Sequence, residues 1–75
     1  MSPRIPALTA RKLMRVLLSL GFVKIRQKGS HAFFEHPDGR TTVVAYHTNE
    51  DIGRGLLRQI LREIELSPDE FIKLL

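Results

Sequence analysis

The chain has 75 residues and no cysteine, which predicts one small domain and excludes disulfides, a thiol nucleophile and a cysteine-rich zinc site. Its formal charge of +4 is unevenly spread: residues 1–62 hold eleven bases and four acids, whereas residues 63–75 hold one base and four acids. A basic body suits a polyanionic ligand, although solvated surface charge is the simpler alternative.

The sequence carries no apolar stretch of the roughly 20 residues that a membrane-spanning helix needs. The segment from Met1 to Pro6 lacks the apolar part of a secretory signal. We therefore expect a single domain over residues 1–75 in the cytoplasm, with no membrane contact. Three histidines are present, but their spacing matches no strong ligand pattern, so no metal and no cofactor are predicted.

The first predicted element is a helix over about residues 10–20. Thr9 can cap its start, and Gly21 stands where a left-handed C-terminal cap is expected. One apolar face follows the i, i+3, i+4, i+7 spacing and consists of Leu13, Val16, Leu17 and Leu20.

The hydrophobic period then changes to two, which predicts strands. In the first strand Val23 and Ile25 are expected to face one way. Lys24 and Arg26 then face the other way, which is the pattern of a half-buried strand.

Two further strands are predicted, one from His31 to His36 and one from Thr41 to Ala45. The intervening Pro37-Asp38-Gly39-Arg40 is a strong turn signal, because proline presets φ and glycine accepts a positive value. The three strands therefore form an antiparallel meander with short connections.

A second long helix is predicted from near Gly53 to about Ile64. Its apolar face consists of Leu57, Ile60, Leu61 and Ile64, while a separate basic stripe consists of Arg54, Arg58 and Arg62. The run Ser67-Pro68-Asp69-Glu70 has the capping-box pattern and predicts a short last helix. We expect that helix to carry Phe71, Leu74 and Leu75.

The predicted fold class is α+β, in the order α-β-β-β-α plus a short C-terminal helix. A three-stranded antiparallel sheet with the helices packed on one face is the simplest two-layer solution, and it leaves the other face exposed. On the second strand Ala32 and Phe34 share the face toward the helices. His31 is then expected to face away from the helices, together with Phe33 and Glu35.

The most informative segment is Lys28-Gly29-Ser30-His31, a polar turn that opens onto a histidine at the start of an apolar strand. Glycine permits a sharp reversal and serine hydrogen-bonds locally. A histidine held there can take or give a proton near neutral pH, which suits phosphate-ester chemistry.

These segments resemble the HicA-type (YcfA-like) toxins of bacterial type II toxin–antitoxin systems. The matching features are an amphipathic helix ending in Gly21-Phe22, the run Arg26-Gln27-Lys28-Gly29-Ser30-His31, Phe34, the run His36-Pro37-Asp38-Gly39-Arg40, a His47 loop and the helix with Leu57, Arg58, Ile60 and Leu61. One departure is Ala45, where the family often has proline.

The resemblance implies a double-stranded-RNA-binding-domain-like fold and ribosome-independent cleavage of mRNA. It also implies neutralisation by a HicB-type antitoxin, and hence a hetero-oligomer with that protein. The family's catalytic histidine falls on His31. The resulting hypothesis is a metal-independent endoribonuclease in which His31 acts as general acid or base, since a free imidazole has a pKa of about 6.5.

Other residues have weaker functional interpretations. Lys28 is a candidate for stabilising the transition state, assisted by the backbone of Gly29 and Ser30, and Arg26 and Lys24 are candidate RNA contacts. A second proton carrier could be His47 or water, whereas His36 has the position of a structural turn residue. Phe33 and Tyr46 can stack on a base or simply pack, and the arginine stripe can be a solvated face.

Two other functions fit the same sequence. A non-catalytic RNA-binding module of the same fold would bind RNA in a salt-dependent way and leave it intact. A purely structural protein would use its basic helix to dock an acidic partner and would have no affinity for RNA.

Overall fold

The computed structural model describes residues 7–46 and 51–75. In chain order its elements are α1 (Ala10–Ser19), β1 (Val23–Lys28), β2 (His31–Glu35), β3 (Thr41–Ala45), α2 (Arg54–Glu63) and α3 (Pro68–Lys73). The strands form one antiparallel sheet in the order β1-β2-β3. The predicted α+β arrangement is therefore confirmed, with strand and helix ends within one or two residues of those expected.

Helix α1 begins and ends with the capping residues that the sequence predicts. The Thr9 hydroxyl accepts a hydrogen bond from the backbone N–H of Lys12 at 3.2 Å. At the other end Gly21 has φ +96°, and the N–H groups of Gly21 and Phe22 both donate to carbonyls of the last helical turn. This is a Schellman motif, in which glycine avoids the steric cost of a left-handed conformation.

Helix α2 ends in the same motif but without a glycine. Glu65 has φ +58°, its N–H donates to Arg62, and the N–H of Leu66 donates to Leu61. A left-handed conformation costs a residue with a Cβ about 1–2 kcal/mol. Glu65 therefore sits in a strained conformation that the sequence pattern did not predict.

Helix α3 carries the predicted capping box. Ser67 accepts from the backbone of Glu70, and the Glu70 carboxylate accepts from the backbone of Ser67 in return. The helix carries Phe71, as expected, and this side chain is fully buried. Leu74 and Leu75 lie beyond the end of the helix and expose 44% and 41% of their surface, so the expectation that the helix carries them is wrong.

The helices cover one face of the sheet, and the core lies between the two layers. From β2 the core receives Ala32 and Phe34, which confirms the predicted parity of that strand. The buried Thr42 also links the layers, since its hydroxyl donates to a carboxylate oxygen of Glu63 at 2.8 Å. Within the described residues no helix combines the length and apolarity needed to span a membrane.

Strand β1 is exposed along its whole length, so the prediction of a half-buried strand is wrong. Val23 and Ile25 expose 56% and 58% of their surface. The reason is position: β1 is an edge of the sheet, and the long helices pack on β3 at the opposite side. Alternating apolar and polar residues do not by themselves distinguish an edge strand from a strand that the helices cover.

A β-bulge interrupts β1 and changes which side chains share a face. Lys24 pairs with Phe34 and Arg26 pairs with Phe33, so Ile25 is the extra residue. Because paired residues face the same side, Lys24 lies on the helix side with Phe34, and Arg26 lies on the open side with Phe33. The expectation that Lys24 and Arg26 face the same way is therefore wrong.

Candidate active site

The turn between β1 and β2 sets the position of His31. Lys28 and His31 are directly paired, and only Gly29 and Ser30 connect them. Gly29 has φ +59° while Ser30 does not have a positive φ, which is the pattern of a type II′ hairpin turn. The amide of Gln27 donates to the Gly29 carbonyl at 3.3 Å and supports the reversal.

His31 faces the open side of the sheet and is exposed, as the parity argument predicted. Its neighbours across the sheet are Lys28 on β1 and Ala45 on β3. Side chains directly opposite each other have Cβ atoms about 4.5–5.5 Å apart, so the Lys28 ammonium can reach the imidazole region. Among the described residues, none forms a hydrogen bond or ion pair with the His31 ring.

The next row of the open face contains Arg26 and Phe33. The Arg26 guanidinium carbon lies 4.6 Å from the centre of the Phe33 ring, within the range of a cation–π contact. This row is one strand step from the row of Lys28 and His31, since Phe33 and His31 are separated by one residue. Arg26 shares the histidine face with Lys28 by regular alternation, and the bulge beyond Arg26 turns Lys24 away from that face.

Lys24 is not part of this cluster. It lies on the helix side of the edge strand, and its amine donates to the side-chain oxygen of Gln27 at 2.9 Å. The structure therefore brings together His31, Lys28 and Arg26 and places the third predicted cation, Lys24, elsewhere. No feature of a single sequence signals a bulge inside a strand of alternating residues.

His36 has the structural position that its sequence context indicated. Its Nε2 lies 3.2 Å from the Leu20 carbonyl, and its Nδ1 accepts from the backbone N–H of Asp38 at 3.1 Å. The ring also packs edge-on against Phe22, with centroids 5.0 Å apart. Both ring nitrogens are used to join the end of α1 to the turn after β2, so His36 is part of the fold.

Arg40 has a similar joining role that the sequence pattern does not indicate. Its guanidinium donates to both carboxylate oxygens of Asp38, donates to the carbonyl of Ile64 at the end of α2, and lies 5.1 Å from the centre of the Phe22 ring. Hydrogen bonds from Arg40 lower the pKa of the Asp38 carboxyl, and the same carboxylate raises the pKa of Arg40. The motif from His36 to Arg40 therefore supports the hairpin rather than a reaction.

Tyr46 links the turn of the candidate site to α1. Its backbone N–H donates to the Ser30 carbonyl at 2.5 Å, and its hydroxyl accepts from Arg11 at 2.8 Å. That hydrogen bond raises the pKa of Arg11. The ring packs partly against the core, which agrees with the packing alternative for Tyr46. His47, the candidate second proton carrier, lies outside the described residues.

The basic stripe of α2 is exposed, as expected. Arg58 and Arg62 border a groove of about 200 Å³ that is completed by Leu61, Leu66 and Pro68. Within the described part of the chain, Arg58 and Arg62 have no ion-pair partner. Residues 7–46 and 51–75 contain no group of three or more histidine, cysteine or acidic side chains placed to hold a metal ion.

The arrangement on the open face supports proton transfer next to fixed positive charge. An exposed imidazole can exchange a proton with a bound substrate, and two neighbouring cations attract an anionic group such as a phosphate. The histidine, the turn that positions it and the strands that carry the cations all derive from residues 23–35.

The comparison with known families accounts for most of the chain. The sequence model described as HicA toxin of bacterial toxin-antitoxin matches residues 10–66, from the start of α1 through the end of α2. None of the curated proteins matches the chain significantly. Toxins of such systems are paired with an antitoxin. Because the match covers well over half of the 75 residues and includes the His31 turn, the chain belongs to the HicA toxin family of bacterial toxin–antitoxin systems.

Proposed function

We propose that this protein is a metal-independent endoribonuclease that cleaves mRNA, with His31 as its catalytic proton carrier. The observation that carries the proposal is the exposed imidazole directly paired with Lys28 on the sheet face that the helices leave open. RNA offers both the phosphate that the cations attract and the 2′-hydroxyl that an imidazole can deprotonate.

In the proposed reaction the ribose 2′-oxygen attacks the adjacent phosphorus and loses its proton. The bond from phosphorus to the 5′-oxygen of the next nucleotide breaks, and that oxygen takes up a proton. His31 serves one of these two transfers, and His47 or water serves the other. The products are a 2′,3′-cyclic phosphate and a free 5′-hydroxyl.

Lys28 stabilises the charge that develops on the phosphate oxygens during this step. It lies opposite His31 at the closing pair of the turn, so one bound phosphate can contact both side chains. Arg26 and the turn residues Gly29 and Ser30 complete the proposed RNA contact. Lys24, on the helix side of β1, is excluded from it.

We further propose that a HicB-type antitoxin neutralises the toxin by covering this same face. The face combines Arg26 and Lys28 with the exposed apolar side chains Val23 and Val43, which are paired with Glu35 and Phe33 of β2. Such a surface suits a partner that presents carboxylates around an apolar centre. Binding there would exclude RNA from His31.

The test is cleavage of a labelled RNA by the purified protein in excess chelator. We expect the wild type to cleave the RNA and His31→Ala to cleave it about 10²- to 10⁴-fold more slowly. Because the His31 side chain is exposed, the midpoint of urea unfolding of His31→Ala should equal that of the wild type. A single 2′-deoxy substitution at the cut site should block cleavage there.

Three results would contradict the proposal. Undiminished cleavage by His31→Ala would remove His31 from the mechanism. Cleavage that stops in chelator and returns with added Mg²⁺ would refute metal independence. RNA that is retained by the wild type in a salt-dependent way but stays intact would instead favour the non-catalytic binding module.

A further inference from the structure

The open face of the sheet has an aromatic residue beside the proposed catalytic row. Phe33 is two positions from His31 on β2, so the two side chains share a face at a spacing of about 6–7 Å. This is close to the span of one nucleotide. If an RNA strand places a phosphate at His31 and runs along β2, one of the two nucleotides that flank this phosphate therefore lies near Phe33.

Arg26 lies over the Phe33 ring at 4.6 Å and has no acidic partner among the described residues. A guanidinium placed on an aromatic ring is oriented by that ring, and its other face stays available because Arg26 is exposed. A planar cation with one covered face and one open face is a stacking surface for a nucleobase.

We propose that Arg26 and Phe33 form a base-stacking subsite for the nucleotide next to the scissile phosphate. The inference rests on the proposed function, in which RNA lies across this face. Arg26 stacks directly on the base, and Phe33 is a positioning residue that holds the guanidinium flat. Because every base can stack, the subsite would read no hydrogen-bond pattern. Its preference for purines over pyrimidines would come from stacking strength alone.

The experiment measures RNA affinity in the His31→Ala background, where the substrate stays intact. A short single-stranded RNA is compared with a set of copies that each carry one abasic nucleotide. Arg26→Lys keeps the charge but loses the planar group, and Phe33→Leu keeps an apolar side chain but loses the ring. Arg15→Lys on α1 is the control for an exposed arginine on the helix layer.

We expect Arg26→Lys and Phe33→Leu each to weaken binding of the intact RNA on the order of tenfold. For the His31→Ala parent, the RNA that lacks the stacked base should bind more weakly than the intact RNA by a similar factor. Arg26→Lys and Phe33→Leu should not weaken the binding of that abasic RNA any further. Arg15→Lys should bind like its parent. The circular dichroism spectrum of each variant should match the parent, which separates stacking from misfolding.

The inference would be overturned if, at every abasic position, the loss of affinity caused by the missing base simply added to the loss caused by each substitution. Full affinity of Arg26→Lys with a loss only in Arg26→Gln would also overturn it, since a phosphate contact would then account for Arg26. If the wild type binds RNA with the expected coupling but never cuts it, the proposed nuclease function fails and the subsite stands. If it binds no RNA, both fail.

Discussion

Gly21 lies so close to the His36 ring that a Cβ added at position 21 would sit 3.1 Å from Nε2. The same ring is held by the Leu20 carbonyl and by the backbone of Asp38, so it has little room to move. The glycine that ends α1 is thus required both by its positive φ and by the histidine at the end of β2.

The first prediction follows from this contact. Gly21→Ala should lower the free energy of unfolding by more than the about 1–2 kcal/mol that a left-handed alanine costs. Gly39→Ala is the matched control, because Gly39 has φ +100° and nothing within 4 Å of the added Cβ. Urea unfolding of both variants measures the difference, and equal losses would show that the His36 ring does not restrict position 21.

A second prediction separates the two described histidines. His36→Ala should lower the free energy of unfolding by about 1–2 kcal/mol, because it removes hydrogen bonds to Leu20 and Asp38. His31→Ala should leave stability unchanged and slow RNA cleavage by about 10²- to 10⁴-fold. An unchanged urea midpoint for His36→Ala would contradict its structural role.

The third prediction concerns the left-handed residue after α2. Glu65→Gly should raise the free energy of unfolding by about 0.5–1 kcal/mol, since relief of the strained φ outweighs the extra freedom of glycine in the unfolded chain. Glu65→Ala keeps the strain while it removes the carboxylate, so it serves as the control. Stabilisation by Glu65→Ala as large as that by Glu65→Gly would point to charge rather than backbone conformation.

The fourth prediction is a pH dependence at the β2–β3 turn. The pKa of Asp38 is lowered from its ordinary value of 3.8 by hydrogen bonds from Arg40. Its contribution to stability is therefore complete above about pH 4 and is lost as the pH falls through the lowered value.

Asp38→Asn should remove that acidic part of the stability profile and lower the urea midpoint at neutral pH. Glu35→Gln removes an exposed carboxylate from the neighbouring strand and is the matched control for the loss of one negative charge. Identical profiles for Asp38→Asn and the wild type would mean that the Arg40 contact contributes nothing measurable.

The fifth prediction uses two lysines of one strand that face opposite sides. Lys28→Ala should lower kcat/KM for RNA cleavage about ten- to hundredfold, because Lys28 lies beside His31. Lys24→Ala changes the charge equally but acts on the helix side, and it should reduce cleavage by less than about threefold. Equal losses would indicate that the two lysines act only through the overall charge.

Much of the fold is predictable because it depends on local rules. The caps at Thr9 and Ser67 satisfy helix N-terminal N–H groups within a few residues, and both are recognisable from short sequence patterns. The parity of β2 depends only on which of its residues are large and apolar. That local pattern is therefore enough to place His31 on the open face of the sheet.

The errors have a common cause, which is that they depend on neighbours distant in sequence. Whether β1 is covered depends on where the helices pack, and its alternating residues fit either case. The bulge at Ile25 is visible only once β1 is paired with β2, and it decides that Lys24 does not join Arg26 and Lys28 on the face of His31. The contact of Arg40 with Ile64 spans 24 positions and has no local signal.

The sequence by itself determined the order of the elements, the hairpin turn that presents His31 and the family to which the chain belongs, because each depends on residues close together in the chain. The tertiary structure alone decided that Lys24 does not lie beside that histidine, that the edge strand is left uncovered and which motif residues only support the fold. Pairing and packing bring together residues far apart in the chain, and their side chains share a face only after the backbone has formed its sheet.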